Sequence, residues 1–212
     1  MTQQVETWVQ QTQKIYKGVL LYSVAGVLYA ILDPINSLSN AVGHLSSFAD
    51  RGTFDMSVSA LDVICYLLIA GIIGGYILFL QGLGGFTAIL KGSDQIAMGR
   101  VRTGVILALI GSALGFIPFL GWIGGILNII SFIMMMLGYS ALKNSATFPE
   151  ESRKGASKLY TAMILSIIGA VLGFIPVAGG FIEMVFDIIA FFMILSGWAS
   201  IKNTVPTEES LQ

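Results

Sequence analysis

Charge is what this chain lacks most. Only 11% of its 212 residues are Asp, Glu, Lys or Arg, against 55% hydrophobic residues, whereas a soluble domain carries roughly 25% charged residues. A soluble fold would have to hide most of its own surface, so a membrane protein is the class that remains. Cysteine is nearly absent: Cys65 stands alone in an apolar run, which excludes an intrachain disulfide. Histidine is also single, and His44 has no second His or Cys beside it. Neither metal ligation nor a nucleophile and base for intramembrane hydrolysis is therefore expected. There is no Walker loop, no dinucleotide fingerprint, no His-Glu-x-x-His, and no Gly-x-Ser-x-Gly set in a span with a partner histidine. No enzyme activity, cofactor, metal or nucleic-acid partner is expected.

What the chain has in abundance is repetition. Gly111, Leu114, Gly115, Phe116, Ile117 and Pro118 recur as Gly169, Leu172, Gly173, Phe174, Ile175 and Pro176. One residue is then inserted, after which Gly121, Ile129, Phe132, Gly138, Lys143 and Asn144 recur as Gly180, Ile188, Phe191, Gly197, Lys202 and Asn203. Each copy reads as two apolar helices joined by a short turn at Phe-Ile-Pro, where the missing proline amide costs least. A fainter echo matches Gly85-Phe86-Thr87-Ala88-Ile89 to Gly138-Tyr139-Ser140-Ala141-Leu142. The fold class is all-α: a polytopic transmembrane helical bundle of six helices, built as three tandem two-helix hairpins over about 15–90, 101–143 and 158–202. A two-helix unit returns the chain to its starting side, so the repeats are parallel, and the inverted repeat of alternating-access transporters is missing.

The apolar spans fall at 16–32, 61–90, 101–117, 121–142, 158–175 and 180–201. The second is long enough to extend past the bilayer or to kink near Gln81 to Gly85. Ten of the eleven basic residues, among them Lys14, Lys17, Lys91, Arg100, Arg102, Lys143, Lys158 and Lys202, fall on one side of these spans. The other side holds Asp33, Asp50, Asp55 and Asp62 with only Arg51. The positive-inside rule then puts both termini in the cytoplasm, of a bacterial inner (plasma) membrane, with Trp8, Trp122 and Trp198 at interfaces. Lys14, Lys17 and the apolar run 18–32 imitate a signal peptide, but a retained first span keeps the hairpin count whole. Residues 1–14 read as an amphipathic segment lying on the cytoplasmic surface, with Val5, Trp8, Val9 and Thr12 at helical spacing. Residues 33–60 read as an outer loop, with Leu38, Val42, Leu45 and Phe48 at near-helical spacing, and 204–212 as a cytoplasmic tail.

Three pairs of glycines, Gly71 and Gly75, Gly111 and Gly115, and Gly169 and Gly173, have the spacing that lets membrane helices approach closely. The polar residues that invite a functional reading are Glu183 and Asp187, four apart and so on one face of the last helix. Asn128 is the repeat equivalent of Asp187, and Asp62 opens the second helix from the outer side, so these four form the candidate polar site. Met134, Met135 and Met136 point in three directions and read as packing rather than as a soft-metal site. Lys143 and Lys202 end two repeats alike and read as interfacial lysines at helix C-termini. The expected function is that of an integral membrane accessory or scaffold protein that binds membrane lipids, a membrane-protein partner or a second copy of itself. The alternative is a small transporter or channel for a cation, proton or polar-headgroup lipid, using the acidic site.

Overall fold

The structure, a computed structural model, describes residues 3–51, 59–176 and 179–206, with the side chains of all but 45–51. Leu45, Phe48, Asp50, Arg51, Asp55 and most of the tail lie outside that description. The described residues form six helices: α1 Gln3–Arg51, α2 Ala60–Ile89, α3 Gly92–Gly115, α4 Gly121–Lys143, α5 Glu150–Gly173 and α6 Gly179–Asn203. Each is long and apolar enough to cross a bilayer, and the protein is an integral membrane protein. A lipid environment leaves the chain little choice, because a helix satisfies its own backbone polar groups where water cannot.

Two readings of the sequence change here. Helix α1 runs unbroken through Pro34 to Arg51, so most of 33–60 is helix rather than loop. Membrane helices tolerate such a proline because neighbouring groups re-satisfy the freed carbonyl. At the other end, α1 already starts at Gln3, and its stripe of Val5, Trp8, Thr12 and Ile15 is buried, with 0–5% exposure. That stripe packs on protein and not on a lipid surface. Helix α2 shows no break at Gln81 to Gly85.

The chain divides into two units, one of residues 17–77 and one of 1–16 with 78–212. In the first, α1 and α2 run antiparallel and tightly packed. A Cβ on Gly75 would lie 2.5 Å from the Tyr22 amide nitrogen and 2.9 Å from the Gly18 carbonyl oxygen, so only glycine fits. Further along, Gly71 faces Ala25, and the Tyr22 and Tyr76 rings stack at 4.5 Å.

In the second unit α3 pairs with α4 and α5 with α6, each pair again antiparallel. The turns close alike: the last turn of each helix tightens as Ile117 N–H donates to Leu114 O at 3.1 Å and Ile175 N–H to Leu172 O at 3.0 Å. Phe119, in the first of these turns, holds the left-handed conformation at φ 69°. The backbones then run within van der Waals contact. A Cβ on Gly155 would sit 2.6 Å from the Gly197 carbonyl oxygen, and one on Gly197 2.9 Å from that of Gly155. Ser131 adds a buried bond to the Gly104 carbonyl at 2.7 Å.

Burial makes the repeat visible well beyond the similar stretches of sequence. The buried positions of α3 are Asp94, Ala97, Met98, Val101, Gly104, Val105 and Gly111. Those of α5 are Ser152, Gly155, Ala156, Leu159, Ala162, Met163 and Gly169, the same positions residue for residue. The first hairpin joins the series through its contacts. Gly85 packs on Gln11, Gly138 on Ala97 and Gly197 on Gly155, while Gly71 on Ala25 corresponds to Gly124 on Gly111. Each repeat therefore begins six to eight residues earlier than its apolar run, and residues 8–14 belong to the first.

The second unit also links all three repeats in turn. The Arg102 guanidinium lies against Gly84, its Cζ 3.6 Å from where a Cβ would stand. Lys143 Nζ sits 3.7 Å above the Tyr160 ring, and Lys202 Nζ 4.2 Å above the Tyr16 ring. The second helix of each hairpin thus meets the first helix of the next, and the third hairpin returns to the first. One cation marks each junction. Trp8 and Trp198, read as interfacial from sequence, are instead 0% and 1% exposed inside this unit, while Trp122 is 68% exposed.

Candidate functional site

Asp62 occupies the third position of α2, with Ser59 as its cap. Ser59 Oγ accepts from the Asp62 amide at 3.1 Å, and the Asp62 carboxylate accepts from the Ser59 amide at 2.7 Å. This reciprocal pair is a capping box, which satisfies amides that a helix start leaves unpaired. Two amides from α1 complete the set: Asn36 Nδ2 donates to Asp62 Oδ1 at 2.8 Å and Asn40 Nδ2 at 3.0 Å. Ser59 Oγ also donates to Oδ2 at 2.8 Å. Both carboxylate oxygens are thereby engaged, and the arrangement fastens the N-terminal end of α2 to α1.

The other three residues of the candidate site lie on α4 and α6. Glu183 is half-buried beside Gly173, where a Cβ would lie 2.5 Å from Glu183 Oε2. The absence of a side chain at Gly173 makes room for the carboxylate. Asn128 is exposed and leans over Gly111, whose Cβ would be 2.7 Å from Asn128 Oδ1. Asp187 is exposed on α6. Among the described residues no hydrogen bond or ion pair joins any two of Asn128, Glu183 and Asp187.

The repeat register gives these positions meaning. Gly75, Asn128 and Asp187 are equivalent, as are Gly71, Gly124 and Glu183. The first hairpin fills this position with a buried glycine, the second with an exposed amide and the third with an exposed carboxylate. Asp187 lies eight residues into α6, about 12 Å from its start. On its own side of the helix Met184 is 49% exposed, whereas Ala190 is buried at 3% and Glu183 is half-buried. An exposed carboxylate at such depth costs about 2.5–3.5 kcal/mol on insertion scales, and such groups almost always turn inward or pair.

No family model, curated protein or solved structure matches this chain.

A second polar group, unmarked in the sequence, lies at the basic end of the helices. Trp8, Asp94 and Ser152 occupy one repeat position and are all buried. Each carries a polar atom, Trp8 Nε1, Asp94 Oδ1 and Ser152 Oγ, with no hydrogen-bond partner among the described residues. Thr147 Oγ1 donates to Asp94 Oδ2 at 2.7 Å, and the next residue, Phe148, packs on Trp8 with ring centroids 5.8 Å apart. The three residues share no chemistry, so only their burial reveals the equivalence. The tight glycines missed from sequence, Gly82, Gly104, Gly124, Gly138, Gly155 and Gly197, escaped because they are not four apart along one helix; each approaches a partner on the neighbouring helix instead. Gly115, by contrast, has open space where its Cβ would stand. Among the described residues no three His, Cys, Asp or Glu side chains stand together as metal ligands would.

Proposed function

We propose that this protein is a non-catalytic accessory or scaffold subunit of a membrane assembly, binding a membrane-protein partner or lipid through its outward helical faces. We place it in a bacterial inner membrane with both termini cytoplasmic, as the basic residues at one end of the spans favour. The observation that carries this reading is the pair Asn128 and Asp187, exposed polar side chains at equivalent positions within two otherwise apolar helices. A surface of that kind is suited to a neighbour in the membrane that supplies polar groups at the same depth.

Transport of a cation, proton or polar headgroup draws less support. Asp62 is fully engaged by its own hairpin, and Asn128, Glu183 and Asp187 share no hydrogen bond. The test is extraction of the tagged protein into lipid nanodiscs, with mass determination and identification of whatever remains bound. A stoichiometric protein or lipid is the expected result. A bare monomer, with ion flux lost in Glu183→Gln and Asp187→Asn variants, would reverse the order of the two readings.

A further inference from the structure

Lys158 opens the apolar run of the third repeat, and no Lys or Arg occurs from Leu159 to Ile201. Its Nζ donates to Ser196 Oγ at 2.9 Å and to Ser200 Oγ at 3.2 Å, while Ser200 Oγ donates to the Ser196 carbonyl at 3.0 Å. One ammonium proton and the Ser196 hydroxyl proton are left to give, and Ser196 is exposed. No ion pair balances this ammonium among the described residues, and Glu150 and Glu151, earlier on α5, are both taken by Lys154. From Ser196 an apolar line runs along the same side of α6 into the span. Phe192, Ile189 and Val185 lie on it at helical spacing and are 63%, 45% and 38% exposed. A held cation and hydroxyl at the head of an exposed apolar line match the two ends of an amphiphile.

The repeat makes this set particular to the third hairpin. Lys14, Arg100 and Lys158 occupy one repeat position, so every hairpin carries a cation there. The partners Ser196 and Ser200 correspond to Leu137 and Ala141 in the second hairpin and to Gly84 and Ala88 in the first, which have no hydroxyl. A cation that only sets topology needs no such pair. We propose that Lys158 and Ser196, with Ser200 holding the lysine in place, bind the phosphodiester of an anionic phospholipid whose acyl chain lies along Phe192, Ile189 and Val185. The proposal rests on the accessory reading above and gives its lipid arm a site. The phosphate oxygens accept from both free donors, one of them charged. An unbalanced ammonium favours a headgroup of net negative charge over one that brings its own cation.

The test is native mass spectrometry of the full chain, stripped of lipid in a neutral detergent and offered equal amounts of phosphatidylglycerol and phosphatidylcholine with the same acyl chains. Phosphatidylglycerol is expected to bind about five-fold more, the discrimination that one basic group near a membrane surface gives. That preference should be lost in Lys158→Gln, kept in Lys158→Arg and in Arg100→Gln, and lowered when Ser196→Leu and Ser200→Ala together install the residues of the second repeat. None of these side chains is fully buried, so the variants should melt as the parent does, which is checked first. Equal binding of the two lipids, or a preference that survives Lys158→Gln or the paired serine change, would overturn the proposal. A preference that falls as far in Arg100→Gln would overturn it too, by assigning the effect to the basic end as a whole. Glycerol phosphate, the headgroup without acyl chains, should not displace the lipid; if it does, a soluble phosphate is the occupant and the lipid assignment falls. A protein partner retained in nanodiscs, with no lipid preference, would remove this proposal and leave the accessory reading standing. A bare monomer in nanodiscs would remove that reading instead.

Discussion

Two buried serines sit in this protein under opposite conditions. Ser131 gives its hydroxyl to the Gly104 carbonyl at 2.7 Å, whereas Ser152 Oγ has no partner among the described residues. Removing a paired group in a membrane costs about 0.6 kcal/mol on average, while removing an unpaired buried one relieves a desolvation penalty. Ser131→Ala should therefore lower the unfolding temperature in detergent slightly, and Ser152→Ala should leave it unchanged or raise it. The loss from Ser131→Ala stays small because the third repeat already holds Ala190 at that position, buried at 3% exposure. A sharper contrast lies in two adjacent glycines. A methyl at Gly124 would collide with the Gly111 carbonyl oxygen and lie 3.2 Å from the Gly115 nitrogen, whereas Gly125 has nothing within 4 Å. Gly124→Ala is expected to destabilise by about 1–3 kcal/mol, as overpacking does. Gly125→Ala should be neutral or slightly stabilising, since alanine is the better helix former. Equilibrium unfolding of the two variants side by side would check this.

Among the elements, the hairpin turns of the second and third repeats stand apart from the first. From Ala113 to Leu127 no side chain is charged and only the Trp122 indole nitrogen is polar, and Phe116 and Phe119 are 88% and 94% exposed. From Arg102 to Pro118 the helix rises only about 24 Å, less than the roughly 30 Å of a bilayer's hydrocarbon core. These turns belong at the edge of the lipid, while along the sequence the first hairpin continues past the equivalent point to Asn36, Asn40 and Asp62. With the proposed topology, and in a Cys65→Ala background, a cysteine at Phe119 should resist a membrane-impermeant maleimide applied from outside, and one at Ser39 should react. The two later hairpins were legible in the sequence because their residues are near copies. The first was faint because Gln11, Ala97 and Gly155 differ chemically yet serve the same contact. Asp62 was legible as a polar residue at a helix start, and the Ser59 three positions earlier is a cap signal that local pattern alone reveals. Its partners Asn36 and Asn40 come from more than twenty residues away and become neighbours only through the α1 to α2 register.

For the molecule as a whole, the three junctions predict how its repeats connect. Lys202 meets Tyr16 and Lys143 meets Tyr160, so the third hairpin adjoins the first within a single chain. In the Cys65→Ala background, the cysteine pair replacing Tyr16 and Lys202 should cross-link inside one chain with a short bismaleimide. The pair replacing Tyr16 and Lys143 should not. A product at twice the monomer mass from the first pair would mean that the closure belongs to two chains instead. The amphipathic start of the chain was misassigned to the membrane surface for a related reason. An apolar stripe records that something covers it, but not whether the cover is lipid or protein, and here Trp8 is covered by Phe86 and Phe148.

The seating of α6 against the opening residues of α1 also orders the protein's birth. Phe79 and Tyr16 leave the ribosome long before Trp198 and Lys202, which pack on them. The first two hairpins can insert and pair as they are made, using contacts between near neighbours in the chain. Their basic ends wait for a contact that spans almost the whole sequence, and such contacts form slowly because a long loop must close first. During synthesis Tyr16 and Phe79 therefore lack their Lys202 and Trp198 contacts until the last helix arrives. A chain halted before α6 would lack both contacts permanently while its earlier spans are already in place.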